Sequence, residues 1–195
     1  MKLSQREKSL ILGMVLGDGY LQPTGKNNAR LRLEHGRSQG FYLEWKVKSL
    51  ASLFSGKPKT LTRLHPLSHK TYGYVRHQSH STPVLGKLRH EFYPEGKKRL
   101  PSSIIEKLDP LSLAVWYMDD GYYYLRDRCG YLYLGNVTRS EAEIARQSMA
   151  KFSIEAKILI KKKGFALYFA PPEILKLKTL VGKFILPGFA YKLPS

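Results

Sequence analysis

Two stretches of the chain are apolar on every side, and each leads into an acidic residue followed by glycine. Residues 9–16 lead into Asp18-Gly19, and residues 111–118 lead into Asp120-Gly121. A helix without a polar face is buried on most sides. The pattern therefore predicts two buried helices that each end at an aspartate.

Polar residues mark where these helices begin, and the remaining pattern predicts further elements. Ser4 with Glu7 has the spacing of a capping box, and Asp109 before Pro110 has that of an N-cap with proline in the first turn. Alternation and helical spacing predict strands at residues 29–35, 60–64, 71–78, 122–126, 130–137, 157–162 and 165–169, and helices at residues 41–54, 82–92, 141–152 and 172–185.

The order of elements repeats along the chain with an offset of 102 residues. Asp18-Gly19-Tyr20 matches Asp120-Gly121-Tyr122, and Arg37-Ser38 matches Arg139-Ser140. The predicted fold is α+β, with two pseudo-symmetric αββαββα halves that each hold four antiparallel strands. We expect the halves to be residues 1–94 and 109–195, joined by a linker at residues 95–108.

The net charge requires an anionic partner. The chain has 33 Lys and Arg against 15 Asp and Glu, a formal charge of +18. Phosphate backbones are the usual partner for such a charge. Charge alone leaves open a structural RNA binder and a DNA-acting enzyme. Basic residues are scattered rather than confined to one amphipathic helix, and no apolar run has membrane-spanning length, so we expect no membrane partner and an intracellular location.

One face of each predicted sheet is left free by the helices, and we expect it to bind the major groove of double-stranded DNA. Lysines at the turn around residue 163 are expected to contact backbone phosphates. The predicted DNA-binding residues are Arg30, Arg32, Arg37, Tyr72, Tyr74, Arg76, Gln78, Arg126, Arg139, Lys157, Lys161 and Lys163. The six histidines lack the spacing of a zinc site, and we expect them to meet phosphate or solvent.

The acids at the helix ends favour a metal site. A helix C-terminus carries partial negative charge, so an acid there is unfavourable by roughly 0.3–1 kcal/mol. A divalent cation reverses this cost, and oxygen ligands suit Mg²⁺. Gly13 and Gly17 lie four apart, which allows a second helix to approach closely and to bring Asp18 and Asp120 near one another.

The two apolar segments also resemble a known family. ILGMVLGDG at residues 11–19 resembles the signature of the LAGLIDADG homing endonucleases, and LAVWYMDDG at residues 113–121 is similar to a second copy, as in single-chain members. The resemblance implies a saddle-shaped monomer that recognises a long asymmetric DNA site and cuts each strand with its own half. It implies Mg²⁺ as cofactor, with Mn²⁺ or Ca²⁺ as substitutes in binding, held by Asp18 and Asp120 with Gly17 and Asp119 beside them.

The same resemblance implies further catalytic residues. Glu34 and Asn136 match a polar strand position near the metals, and Gly135 is expected to mark a bulge that re-aims the chain. Lys192 and either Lys98 or its neighbour Arg99 match a basic residue near the scissile phosphate. Relatives of this kind occur in the prokaryotic cytoplasm, in chloroplasts and in mitochondria. Catalytically inactive DNA binders and RNA-splicing maturases remain the alternative, although the presence of both aspartates favours cleavage.

Overall fold

The computed structural model describes residues 2–195 and divides into two compact units. The first unit contains the residues up to Glu7 together with Asp18–His90. The second contains Lys8–Gly17 together with Glu91–Ser195. Most of the first apolar helix therefore packs within the second unit. The boundaries predicted at residues 94/95 and 108/109 remain a prediction.

Helix α1 opens the chain, and the elements that follow it up to residue 92 alternate strand pairs with helices. They are α1 (Gln5–Leu16), β1 (Tyr20–Pro23), β2 (Ala29–Gly36), α2 (Gly40–Ser49), β3 (Lys59–Leu64), β4 (Thr71–Gln78) and α3 (Pro83–Phe92).

The later elements repeat this order after a short additional helix, α4. They are α4 (Ser102–Ile105), α5 (Pro110–Asp120), β5 (Gly121–Tyr124), β6 (Cys129–Gly135), α6 (Arg139–Ala150), β7 (Lys157–Lys161), β8 (Gly164–Phe169) and α7 (Pro171–Val181).

Each unit contains one four-stranded antiparallel sheet, and both sheets have the same strand order. The orders are β1-β2-β4-β3 and β5-β6-β8-β7, so that the second and fourth strands of each unit are the central pair. The α+β fold with a repeated strand arrangement is thereby confirmed. On β2, Leu31 and Leu33 are fully buried, whereas Arg32 and Glu34 remain partly exposed.

The predicted helix starts are confirmed by their hydrogen bonds. The Glu7 N–H donates to Ser4 Oγ at 3.2 Å, and the Ser4 N–H donates to the Glu7 carboxylate at 2.8 Å. The Ser112 N–H donates to Asp109 Oδ1 at 2.8 Å. These bonds satisfy donors that the first helical turn leaves unpaired.

Some element ends differ from the sequence prediction. Helix α2 stops at Ser49 rather than near residue 54, because the Leu50 N–H bonds to the nearer Val47 carbonyl and the chain turns. Residues 102–105 of the predicted linker form α4, directly after Pro101. In residues 2–195, no helix combines the length and the apolar character of a membrane span.

Candidate active site and nucleic-acid interface

The two apolar helices, α1 and α5, pack in close contact within the second unit. A Cβ added at Gly13 would lie 2.7 Å from the Val115 Cβ, and one added at Gly17 would lie 2.6 Å from the Asp119 Cβ. Gly13 on α1 and Gly17, directly after α1, therefore face the larger Val115 and Asp119 on α5. This explains how α5 carries residues larger than those of the family signature at these two positions.

A lysine ammonium binds the last carbonyls of each apolar helix. Lys98 Nζ donates to the Leu16 and Gly17 carbonyls at 3.0 and 2.7 Å. Lys192 Nζ donates to the Met118 and Asp119 carbonyls at 2.6 and 3.2 Å. The accepting residues in the two helices differ by 102 positions, which is the offset of the repeat. A cation at this position offsets the negative end of the helix dipole.

These contacts make Lys98, and not Arg99, the geometric counterpart of Lys192. Arg99 instead lies 3.6 Å from the Glu141 carboxylate, which also accepts the Leu100 N–H at 2.9 Å. Burial acts to raise the pKa of Glu141, but hydrogen bonds from the Thr138 and Leu100 backbone and the charge of Arg99 hold that pKa below its ordinary value. Glu141 thus holds Arg99 and the backbone around Leu100 in place.

A pocket of about 720 Å³ in the second unit brings several predicted site residues together. Its lining includes Asp120, Lys98, Gly17 and Asn136, with lysines from the β7–β8 turn on its rim. The β6–β8 register slips by one residue between Tyr133 and Gly135. The predicted bulge is therefore present, and Asn136 lines the pocket although simple alternation would give it the same side of the strand as Leu132, which is buried.

A second pocket, of about 410 Å³, lies in the first unit and is lined by Asp18, Arg32, Glu34, His35 and Tyr74, among others. The Asp18 side chain is 53% exposed. In each unit, then, one predicted acid lines the same pocket as the predicted polar strand residue.

Glu34 lies among arginines from three strands. Its carboxylate is 2.5 Å from Arg76 Nε, 2.7 Å from Arg63 and 3.4 Å from Arg32. Partial burial acts to raise the pKa of Glu34, but the hydrogen bonds and charges of Arg76 and Arg63 outweigh it and lower that pKa. Arg63 was missed by the sequence prediction, although strand alternation on β3 places it on the face of Tyr72 and Tyr74.

The open face of the first sheet has an ordered polar network. Gln22 accepts hydrogen bonds from Arg30 Nε at 3.1 Å and from Gln78 Nε2 at 3.2 Å. The Arg63 guanidinium lies 4.7 Å from the centre of the Tyr74 ring, and the neighbouring Tyr72 is 46% exposed. Hydrogen-bond donors are therefore fixed along this face before any ligand binds.

Tyrosines occupy the open face of the second sheet, and the sequence prediction missed them. Ring centres are 4.6 Å apart for Tyr122 and Tyr124, 5.3 Å for Tyr124 and Tyr131, and 5.5 Å for Tyr131 and Tyr168. Lys161 Nζ lies 4.2 Å from the centre of the Tyr131 ring. Tyrosine recurs at every second residue on β5 and β6, and this alternation in the sequence could have predicted the cluster.

The remaining predicted basic residues are exposed at the ends of elements. Arg37 follows β2, Arg139 begins α6, Arg126 follows β5, Lys157 begins β7 and Lys163 lies in the β7–β8 turn.

Two histidines do not meet phosphate or solvent as predicted. His35 is 4% exposed and His77 is 8% exposed. Along their strands both histidines alternate with outward-facing residues, so their side chains lie on the core side of the sheet. Within residues 2–195, no three His, Cys, Asp or Glu side chains group as a metal site.

Comparisons with known proteins point to one family. The model of the LAGLIDADG DNA endonuclease family matches residues 8–177. A RecA protein of Mycobacterium gastri is 31% identical over 98% of this chain and 48% of its own length. Probable intron-encoded endonuclease 1 of Wickerhamomyces canadensis is 25% identical over 98% of this chain and 85% of its own length. The chain spans about half the length of the RecA proteins of Mycobacterium gastri and Mycolicibacterium chitae.

Solved structures show the same fold. The homing endonuclease I-WcaI bound to its DNA recognition sequence superimposes with a TM-score of 0.91 at 24% identity, over 100% of this chain and 88% of that one. I-DmoI in complex with DNA and Mn gives a TM-score of 0.52 at 11% identity, over 91% of this chain and 96% of that one. Because the family model spans most of the sequence and both signature helices are present, the chain belongs to the LAGLIDADG DNA endonuclease family.

Proposed function

We propose that this chain is a divalent-metal-dependent endonuclease that cuts both strands of double-stranded DNA at a long asymmetric site. One observation carries the proposal. At the end of each signature helix, a lysine ammonium binds the carbonyls that directly precede Asp18 or Asp120. Each acid thus directly follows a carbonyl that a lysine ammonium binds, and hydrolysis of two phosphodiester bonds calls for one such acid for each bond.

In this proposal Asp18 and Asp120 bind Mg²⁺, with Gly17 and Asp119 as neighbouring oxygen donors. Carboxylate and carbonyl oxygens are the ligands that Mg²⁺ prefers. The Gly17 carbonyl accepts from Lys98, but a carbonyl oxygen has a second lone pair for a metal. When bound, the metal supplies Lewis acidity, which lowers the pKa of water and neutralises phosphate charge. Mn²⁺ and Ca²⁺ are expected to take its place in binding.

Lys98 and Lys192 serve as donors to the phosphate oxygen on which charge develops. Their ammonium groups are held by helix carbonyls before DNA binds, so little reorganisation is needed when charge appears. Asn136 lines the pocket of Asp120 and is proposed to orient a nearby water or phosphate oxygen. Glu34 lines the pocket of Asp18, and its ion pairs with Arg63 and Arg76 are proposed to hold those arginines toward DNA.

The open sheet faces are proposed to bind the DNA grooves. A guanidinium can contact guanine O6 and N7 together, which suits Arg30, Arg32 and Arg76. The tyrosines of the second face offer apolar ring edges and hydroxyl groups instead. The exposed Arg37, Arg126, Arg139, Lys157 and Lys163 are proposed to bind phosphates, which fixes register without reading sequence.

One alternative is favoured by a specific finding. The cytochrome b mRNA maturase bI2 of Debaryomyces hansenii is 25% identical over 98% of this chain and 74% of its own length. A maturase or an inactive DNA binder would keep the charge and the sheets. Neither function needs an aspartate and a bound lysine at both helix ends, so cleavage is the better-supported function.

The test is a cleavage selection on a randomised duplex library, with Mg²⁺ in one arm and a chelator in the other. We expect one enriched site, cut in both strands with Mg²⁺ and uncut with chelator. A monomer acting alone is proposed, so the rate at saturating DNA should scale linearly with protein concentration. Binding without any cutting would contradict the proposal and leave the maturase alternative. The selected sequence can then be compared with prokaryotic and organellar genomes, which is where we propose that the enzyme acts.

A further inference from the structure

The first unit contains a buried lysine that contacts a buried histidine. Lys46 on α2 is fully buried, and its Nζ lies 3.1 Å from Nε2 of His35 on β2. The ammonium also lies 4.1 Å from the centre of the Tyr42 ring, within the range of a cation–π contact. A buried ammonium requires such partners, because an unpartnered charge is costly in the core.

This contact fixes the tautomer of His35. An ammonium has donors and no acceptor, so the Nε2 atom that faces it must accept. The ring proton of neutral His35 is therefore on Nδ1. Nδ1 faces Asp18, whose Oδ2 lies 3.9 Å away. The ring is 2% exposed and the carboxylate 53% exposed, so the imidazole is the fixed member of the pair.

We propose that His35, held as its Nδ1–H tautomer by Lys46, is a positioning residue for Asp18. At 3.9 Å the Nδ1 atom is too far for a direct hydrogen bond, and its N–H stabilises the Asp18 charge electrostatically, which favours the carboxylate on this side of the pocket. The remaining Asp18 lone pairs then face the pocket that Asp18 and Glu34 line. This inference rests on the proposed function of Asp18 as a metal ligand.

The second half of the repeat lacks the pair. The offset of 102 residues places Val137 at the position of His35 and Ser148 at that of Lys46. The Ser148 hydroxyl donates to the Ala145 carbonyl within its own helix. His35 therefore acts on Asp18 and has no counterpart for Asp120, which predicts an asymmetry between the two DNA strands.

The first measurement determines the tautomer of His35 in protein without metal or DNA. Protein labelled with ¹⁵N at histidine gives long-range ¹H–¹⁵N spectra in which protonated and bare ring nitrogens differ. We expect His35 to carry its proton on Nδ1 in the wild type and to shift toward Nε2–H in Lys46→Met, which removes the ammonium. An Nε2–H tautomer in the wild type would overturn the proposal.

The second measurement follows each end-labelled DNA strand separately with His35→Leu and His35→Asn. Loss of an outer partner of a metal ligand typically costs 10–100-fold in metal affinity or activity. We expect His35→Leu to slow cleavage of one strand at least about tenfold and to raise the Mg²⁺ concentration that gives half-maximal cleavage. DNA nicked in one strand should accumulate. His35→Asn keeps a donor near the Nδ1 position and should recover much of the loss.

His77→Leu is the matched control, because it removes another buried histidine from the same sheet. It should leave the ratio of the two strand rates unchanged. If His35→Leu slows cleavage of both strands equally, so that the ratio of the two strand rates is unchanged, the positioning role is overturned. Cutting by the wild type would in that case still support the proposed function. A wild-type protein that bound its site and cut neither strand would overturn both.

Discussion

At the residue scale, the sequence predicts Asp18, Asp120 and Lys192 as site residues but leaves the second basic residue open between Lys98 and Arg99. Lys98 and Arg99 are adjacent basic residues, so the sequence pattern alone does not distinguish them. The structure pairs Lys98 with Lys192 through their helix carbonyls and pairs Arg99 with Glu141. Such a pairing depends on chain path, which no local pattern in the sequence encodes.

Replacing Lys98 should therefore affect cleavage far more than replacing Arg99. Lys98→Met removes a proposed donor to the developing phosphate charge, and loss of one such donor costs about 10²-fold or more in rate. Arg99→Met removes a partly exposed ion pair worth roughly 0–1 kcal/mol of stability. Single-turnover cleavage at saturating Mg²⁺ measures the first effect and thermal unfolding the second. The reverse ranking of the two cleavage rates would contradict the role assigned to Lys98.

Glu34 should make stability depend on pH. Its pKa is lower in the folded protein than in the unfolded chain, so its ion pairs stabilise the fold fully above the ordinary glutamate pKa of about 4.3. This contribution is lost as the pH falls through the folded-state pKa. In urea unfolding, Glu34→Gln should be less stable than the wild type at pH 6, and the difference should shrink at pH 3.5. A difference that grows at low pH would contradict this sign.

At the element scale, the sequence predicted the buried helices and most strands because burial and alternation are periodic. It predicted element ends less well. Helix α2 ends early through a local turn at Leu50, and α4 forms in a stretch that composition marks as a linker. The β6 bulge was anticipated from Gly135, yet its effect on Asn136 follows from pairing with β8, a long-range contact.

The close contact of α1 with α5 predicts a large effect of a small side chain. Gly13→Ala places a methyl group against the Ser112 carbonyl and the Val115 side chain, and such overpacking typically costs about 1–3 kcal/mol. Gly40→Ala is the matched control, because Gly40 begins α2 with helical angles and nothing lies within 4 Å of an added Cβ. Urea unfolding should show a loss for the first variant and a small gain or none for the second. Equal effects would mean that the helices are not in close contact at Gly13.

At the scale of the whole molecule, the charge of +18 was visible in the sequence, but the distribution of side-chain chemistry was not. The first sheet presents arginines ordered by Glu34 and Gln22, and the second presents a tyrosine cluster. The repeat predicted equivalent faces. The two halves share one order of elements but carry different residues on their open faces, with Arg30 and Arg32 on β2 and Tyr122 and Tyr124 on β5.

This charge predicts DNA binding that weakens steeply with salt. A protein that contacts six to ten phosphates loses roughly 10³–10⁵-fold in affinity between about 50 and 200 mM salt. We expect the dissociation constant for the selected site to rise by a factor in this range over the same increase in salt. Lys163→Gln should reduce the slope of log affinity against log salt by about one. Lys97→Gln is the control, because the Lys97 side chain is exposed and we assign it no phosphate contact, so the slope should not change. A flat salt response would contradict phosphate-dominated binding.

The central claim is that Asp18 and Asp120 each bind metal for one of the two cuts. The most direct test measures cleavage and binding of the selected site by Asp18→Asn and Asp120→Asn. The wild type should linearise a plasmid that carries one site when Mg²⁺ is present. Each variant should bind that site with nearly wild-type affinity and fail to linearise the plasmid, because each proposed metal-binding acid serves one of the two cuts. Normal linearisation by either variant would contradict the assignment of one essential acid to each half.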